Sequence, residues 1–230
     1  MSIFVLVHGA FQGDWVWKDV ATHLRNLGHE VHAPTLSGCG YLADGLREGI
    51  DLHTYVQDAC NYLHYQDLRD VILVSHSFAD MICPAVAVRL PLLVRRLLFV
   101  DAVIPQTGHS FADIAGGAFR ALLETHRIRG WRVTPCPPPV FNVPKSKETW
   151  FRTRLREFPE AAFTTKFQDR FEAASANAAF ITCTATPNSF IASMAGKAQS
   201  FGWPVFRLES GHSPMIACPE RLAALLPEAA

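Results

Sequence analysis

Three short stretches of the chain carry residue types suited to acyl chemistry. The first candidate is Val71-Ile72-Leu73-Val74-Ser75-His76-Ser77-Phe78-Ala79, an apolar strand running into a small-x-Ser-x-small turn. Small residues two before and two after the central serine let strand and helix approach closely. The serine backbone is then strained, which lifts the Ser77 hydroxyl out of the sheet. The flanks are Ser75 and Ala79 where glycines are usual. A plainer role for Ser77 is to cap its helix, but a buried strand before and a helix after favour a nucleophile elbow. A serine hydroxyl needs a base at neutral pH. Of ten histidines, His212 suits that role best: Ser210-Gly211-His212-Ser213-Pro214 is a loop after the last strand, C-terminal to Ser77. His76 is expected to point away from Ser77, under an inserted segment, and His8 to support a turn by hydrogen bonding. A tetrahedral intermediate needs two N–H donors aimed at its oxyanion. Phe78, next after the serine, is one. Ala10 is the other, in the glycine turn that ends Val5-Leu6-Val7-His8-Gly9-Ala10.

The elements that must position these groups follow from the hydrophobic pattern. Strands are predicted at Ile3–Val7, Glu30–Ala33, Val71–Val74, Leu97–Val100, Phe180–Thr184 and Val205–Leu208. Helices are predicted at Asp14–Leu27, Leu52–Tyr65, Ser77–Leu90 and Pro219–Leu226, with a glycine-rich loop over 34–50. Continuous apolar strands alternating with helices predict a mostly parallel sheet covered by helices on both faces. The alternation breaks after Pro105. Residues 105–178 hold helical patterns at Ala118–Arg127 and Lys147–Glu157 and many aromatic side chains. The organisation is therefore a core of residues 1–104 and 179–230 with a helical insertion, 105–178, suited to a lid over an apolar pocket. Its aromatics serve partly the lid's own packing and partly that pocket. Gly40, Tyr41 and Trp131 are candidate pocket residues.

Composition narrows the function class. Twenty-one basic residues balance 21 acidic ones, for a net charge of +0, so nothing resembles the basic footprint of a nucleic-acid binder. At 49% hydrophobic and 18% charged the chain can bury a large core, yet no apolar run approaches the ~18 residues of a membrane span. No basic, leader-like segment precedes the first strand. Six scattered cysteines without a C-x-x-C pair read as reduced and mostly buried, in a cytoplasmic protein, and no Cys/His cluster has zinc-ligand spacing. The apolar composition is compatible with a homodimer.

Taken together, Phe4–Ala10, Gly13-Asp14-Trp15-Val16-Trp17, Ala33-Pro34-Thr35-Leu36-Ser37-Gly38, the elbow, Val100-Asp101-Ala102, Cys183-Thr184 and Gly211–Met215 resemble an α/β-hydrolase. The resemblance is narrower still to the small-esterase group of plant methylesterases, hydroxynitrile lyases and related bacterial hydrolases. It implies Ser77 as nucleophile, His212 as base and the N–H groups of Ala10 and Phe78 as oxyanion hole. The family places its acid in a C-T-x-D pattern, but here Cys183-Thr184-Ala185 is followed by Thr186. Some α/β-hydrolases carry the acid one strand earlier, which points to Asp101. Asp101 as a structural residue, Glu209, Asp113 and the absence of any acid are the alternatives. Ser213 stands where the hydroxynitrile lyases have lysine, which speaks against cyanohydrin cleavage.

The expected function is a serine hydrolase acting through an acyl-enzyme on a small apolar ester or a related acyl compound: a lactone, carbamate or activated amide. It needs no metal or organic cofactor. The alternative is a lyase, cyclase or cofactor-free oxygenase using His212 as base, and a binding protein without catalysis ranks last.

Overall fold

In the computed structural model, residues 1–186 and 188–230 are described. The first half alternates strand and helix: β1 (Ile3–Val7), α1 (Lys18–Asn26), β2 (Glu30–His32), α2 (Leu52–Tyr65), β3 (Val71–His76), α3 (Cys83–Arg89) and β4 (Val94–Val100). Next comes an insertion of α4 (Phe111–Ala115), α5 (Gly117–His126), β5 (Arg127–Ile128), β6 (Arg132–Val133), α6 (Pro138–Phe141), α7 (Lys145–Arg152), β7 (Phe158–Pro159) and α8 (Glu160–Thr164). The chain returns to the core with β8 (Ala178–Cys183), α9 (Ser189–Ser200), β9 (Val205–Leu208), α10 (Pro214–Ala217) and α11 (Pro219–Glu228).

Six strands form one parallel sheet in the order β2-β1-β3-β4-β8-β9. Every residue of β3 and of β8 is buried, as expected where helices cover both faces. The strand order reverses between β1 and β3, since the chain first builds outward to β2 and then crosses to the other side. Such a switch point opens a crevice at the carboxyl ends of the strands. Five of the residues discussed above lie at these ends: Ala10 after β1, Ser77 after β3, Asp101 after β4, Thr186 after β8 and His212 after β9.

Local chemistry sets the boundaries. Asp51 caps α2 in a reciprocal box with Thr54. The single helix predicted over Ser77–Leu90 is instead a 3-10 turn, Ser77–Met81, followed by α3. Pro84 explains the break, because it lacks an N–H and its ring excludes the carbonyl four residues earlier; it is tolerated in the first turn of α3. Likewise Asp14–Trp17 is a 3-10 turn before α1. The helix predicted at Lys147–Glu157 runs from Lys145 to Arg152.

The insertion is not wholly helical. β5, β6 and β7 form a small antiparallel sheet whose hairpin turns through Arg129 and Gly130, both at positive φ. Its aromatic side chains do two jobs. Phe158 packs on Phe78 at 5.3 Å and stacks on Tyr55 of α2 at 5.3 Å, tying the insertion to the elbow. Phe111, Phe119 and Phe163 pack on one another and also face a cavity above Ser77.

Candidate active site

β3 delivers Ser77 at φ +57°, the left-handed region that an L-residue enters only under constraint. The constraint is close packing: a Cβ built on Gly9 would stand 3.3 Å from both the His76 carbonyl oxygen and the Ser77 Cβ. A side chain at Gly9 would crowd the elbow, and glycine lets the loop after β1 lie this near it. The Ser77 hydroxyl then meets His212 Nε2 at 3.1 Å. On the far side of the ring, Nδ1 meets Asp101 Oδ2 at 2.7 Å. A carboxylate can only accept, so Nδ1 carries the proton and Nε2 presents its lone pair to Ser77. Asp101 is fully buried, as a carboxylate isolated from water must be to act on one imidazole. Its Oδ1 accepts the Cys183 N–H at 3.1 Å, and Oδ2 also accepts the Thr186 hydroxyl at 2.5 Å. Glu209 instead lies near Arg221, and Asp113 pairs with Arg120. Neither touches His212.

The two other histidines near the site hold its frame. His8 Nε2 accepts the Leu36 N–H at 3.2 Å, so Nδ1 is the protonated nitrogen that donates to the Gly9 carbonyl at 2.9 Å. This is the turn support expected of it. His76 lines the same cavity as Phe111, Phe119 and Phe163 of the insertion. It is also buried against His212, with ring centroids 4.8 Å apart, and its Nε2 donates to the His212 carbonyl at 2.6 Å. Neighbours across the elbow do diverge, yet both reach the same residue: Ser77 its imidazole, His76 its backbone. Nothing in the local sequence marks that contact, because the partner is 136 positions away.

Burial pushes His8 down to about 4. Burial, reinforced by the nearby His212, pushes His76 down to about 3. Both rings stay neutral in the fold, whereas in the unfolded chain they protonate near 6.5. Below that value the unfolded state binds more protons, so their contribution is complete above about pH 6.5. It is lost as pH falls toward the folded values, at up to about 1.4 kcal/mol per pH unit for each ring. The urea midpoint is expected to fall between pH 7 and pH 5, and His76→Gln, which keeps a donor for the His212 carbonyl, is expected to reduce that fall. An equal fall in both proteins would contradict this origin.

A cavity of about 310 Å3 opens above Ser77. Ala10, Phe78, Ser77 and His212 line it, and Phe111, Phe119, Phe141, Phe163 and Phe190 supply much of its wall. Ala10 and Phe78 border the cavity together with Ser77. Phe78 is the second residue of the 3-10 turn Ser77–Met81, in the first turn, where a backbone N–H has no intrahelical acceptor. Gln12 also lines the cavity, with its Oε1 buried and unpaired, and was not singled out by its sequence. Gly40, Tyr41 and Trp131 do not line it. Gly40 packs its Cα against Gly13, Tyr41 is exposed, and Trp131 lies under the Arg132 guanidinium. Their positions follow from the 3-10 turn at 40–45 and the small hairpin, neither of which was expected. Among the described residues no cluster of His, Cys, Asp or Glu could hold a metal ion, and no helix is long and apolar enough to cross a membrane.

A serine held at positive φ in a sharp strand-to-helix turn, a histidine after the last strand and a parallel sheet with a switch point define a class, and comparison with known proteins gives it its family. The model of the alpha/beta hydrolase family matches residues 4–225, and the chain belongs to that family; it is an α/β-hydrolase enzyme. It is 32% identical to the carbendazim hydrolyzing esterase of Nocardioides sp. (strain SG-4G), covering 98% of both chains. It is 34% identical to methylesterase 2 of Arabidopsis thaliana over 46% of this chain and 41% of that one. The solved structure of an extracellular alpha/beta-hydrolase from a Paenibacillus species superposes with a TM-score of 0.88 at 22% identity, covering 100% of this chain and 99% of that one.

Proposed function

We propose that this protein is a serine hydrolase of small, apolar, largely aromatic esters or related acyl compounds such as carbamates, working through an acyl-enzyme. The observation that carries this reading is the line Ser77 Oγ, His212, Asp101, closed by contacts of 3.1 and 2.7 Å. In the reaction, His212 Nε2 takes the Ser77 proton as Oγ attacks the carbonyl carbon. The N–H groups of Ala10 and Phe78 stabilise the oxyanion, and Asp101 stabilises the imidazolium. His212 next protonates the leaving group, then activates the water that frees the acyl group from Ser77. A wall of phenylalanine side chains, and a cavity of about 310 Å3, favour a neutral substrate of small-molecule size. Segment 105–178, which supplies Phe111, Phe119, Phe141 and Phe163, acts as the lid that excludes water. Relatives named as esterases support an ester-type bond as the target. Six free cysteines support a reducing, cytoplasmic setting.

An activity-based fluorophosphonate probe tests the reading. Wild type is expected to be labelled, with the adduct mapped by peptide mass to Ser77. Failure of the folded protein to label there would sink the mechanism.

A further inference from the structure

Thr186 occupies an unusual place beside the charge that serves His212. The turn Cys183–Thr186 is closed by the Thr186 N–H on the Cys183 carbonyl, and it offers two donors to one carboxylate: the Cys183 N–H to Oδ1 and the Thr186 hydroxyl to Oδ2. The same Oδ2 takes the Nδ1–H of His212. Two donors on two different strand ends thus share a single oxygen, and the third fixes the carboxylate's rotation. The turn is also fastened to the loop that carries the base. The Ala185 N–H donates to the Ser210 carbonyl at 2.9 Å. From the insertion, Asn142 Nδ2 donates to the Ala185 carbonyl at 3.1 Å, and Asn142 packs so closely on Gly211 that a Cβ there would clash with its side-chain amide.

We infer that Thr186 is a positioning residue of the reaction: its hydroxyl holds Asp101 in line with His212 and tempers the carboxylate's pull on the imidazolium. This rests on the serine-hydrolase reading of Ser77, His212 and Asp101. The two effects are separable. Orientation is a matter of geometry, since a carboxylate that loses the Thr186 donor is free to turn about the bond that carries it. Tempering is electrostatic, since a donor on Oδ2 takes up part of the charge that would otherwise favour the protonated imidazole.

The other titratable groups that face this carboxylate are His76 and Asp80 from the elbow side and Cys183 from β8. Ser75 spends its hydroxyl on the Leu98 carbonyl, and neither oxygen of the buried Asp80 has a hydrogen-bond partner. Burial raises Asp80 well above the usual carboxylate range, keeps Cys183 a thiol and keeps His76 an uncharged imidazole. The electrostatics of Asp101 near neutral pH therefore answer to His212 and Thr186.

The test compares wild type, Thr186→Val and Thr186→Ser with p-nitrophenyl acetate and with the fluorophosphonate probe, across pH. Thr186→Val keeps the side-chain shape without the hydroxyl. It is expected to lower kcat about tenfold, the size of one hydrogen bond to a charged group, with KM nearly unchanged. It is also expected to move the acid limb of kcat/KM upward by about half a pH unit. Thr186→Ser, which restores the donor, is expected to return both quantities to within about twofold of wild type. Should Thr186→Val match wild type in kcat and acid limb, the inference falls while the hydrolase reading stands. The inference also falls if Val and Ser variants lose activity equally with an unmoved limb, since the residue would then be packing alone. A wild type that neither labels at Ser77 nor turns over the ester overturns the hydrolase reading, and this inference with it.

Discussion

Ser77→Ala is expected to lower kcat by about 10⁴–10⁶-fold while leaving the fold intact, measured as steady-state ester hydrolysis beside near-UV circular dichroism. The magnitude is that of removing a nucleophile from a unit whose members act together. The residue is at φ +57° either way, and alanine bears that strain about as well as serine. Among the described residues, the hydrogen bond lost is the one from Oγ to His212. A loss of this size is therefore chemical, not structural. It also separates the two ways this scaffold can use a histidine. If the protein instead removed a proton from a bound substrate without an acyl-enzyme, His212 would be the reacting group and the hydroxyl a bystander. Ser77→Ala would then keep most of the activity and His212→Ala would lose it. Equal losses in the two variants are the signature of Ser77 and His212 working as one.

The sequence showed most clearly what lies in local chemistry. The run Val71–Val74 and the small residues at 75 and 79 announce a buried strand that must turn sharply into a helix. The apolar runs Ile3–Val7 in β1 and Leu97–Val100 in β4 are short and uninterrupted, and β8 and β9 each carry one polar residue, Thr182 and Arg207, so strand ends could be placed within a few residues, and with them the loops that carry Ala10, Asp101 and His212. What stayed hidden depends on contacts between distant segments. The hydrogen bond of His76 to the His212 backbone joins the end of β3 to the loop after β9, which only the completed sheet brings together. Thr186 reads in the sequence as a missing carboxylate; in space it is a donor to Asp101. Helix α9 was missed because three serines and Gly196 dilute its apolar face. Around the cavity, α4 and α6 are single short turns with too few residues to show a periodicity, so which side chains face the cavity was not legible and Gly40, Tyr41 and Trp131 were misplaced.

Asp101→Asn carries the second large expectation, because it changes one proton acceptor into an amide without altering shape. In wild type both oxygens only accept, and three donors converge on them: Cys183 N–H, Thr186 hydroxyl and His212 Nδ1–H. Asparagine has one oxygen to offer. If that oxygen stays with the Cys183 N–H, its amide N–H2 faces His212, and the imidazole can pair with it only by giving up the Nδ1 proton. The proton then sits on Nε2, directed at Ser77, and the base can no longer accept. The same exchange in a well-studied serine hydrolase lowers kcat by about 10⁴. Here a loss of about 10²–10⁴ is expected, because the carboxylate reaches His212 from the end of β4 and divides its Oδ2 between His212 and the Thr186 hydroxyl, so it sets the tautomer less exclusively. Asp101→Ala is the poorer test, as it also empties a fully buried site. The double variant Asp101→Asn, Thr186→Asp places a carboxylate at the position that already touches this site, and it is expected to regain about tenfold or more of the loss. In wild-type background Thr186→Asp is expected to be harmful, since two buried carboxylates would share one imidazole and one of them would be driven to protonate. The measurement is kcat/KM of each variant at matched thermal stability. A loss below about threefold in Asp101→Asn, under ~0.7 kcal/mol of transition-state stabilisation, would make Asp101 a structural carboxylate and leave Ser77 and His212 to act as a pair.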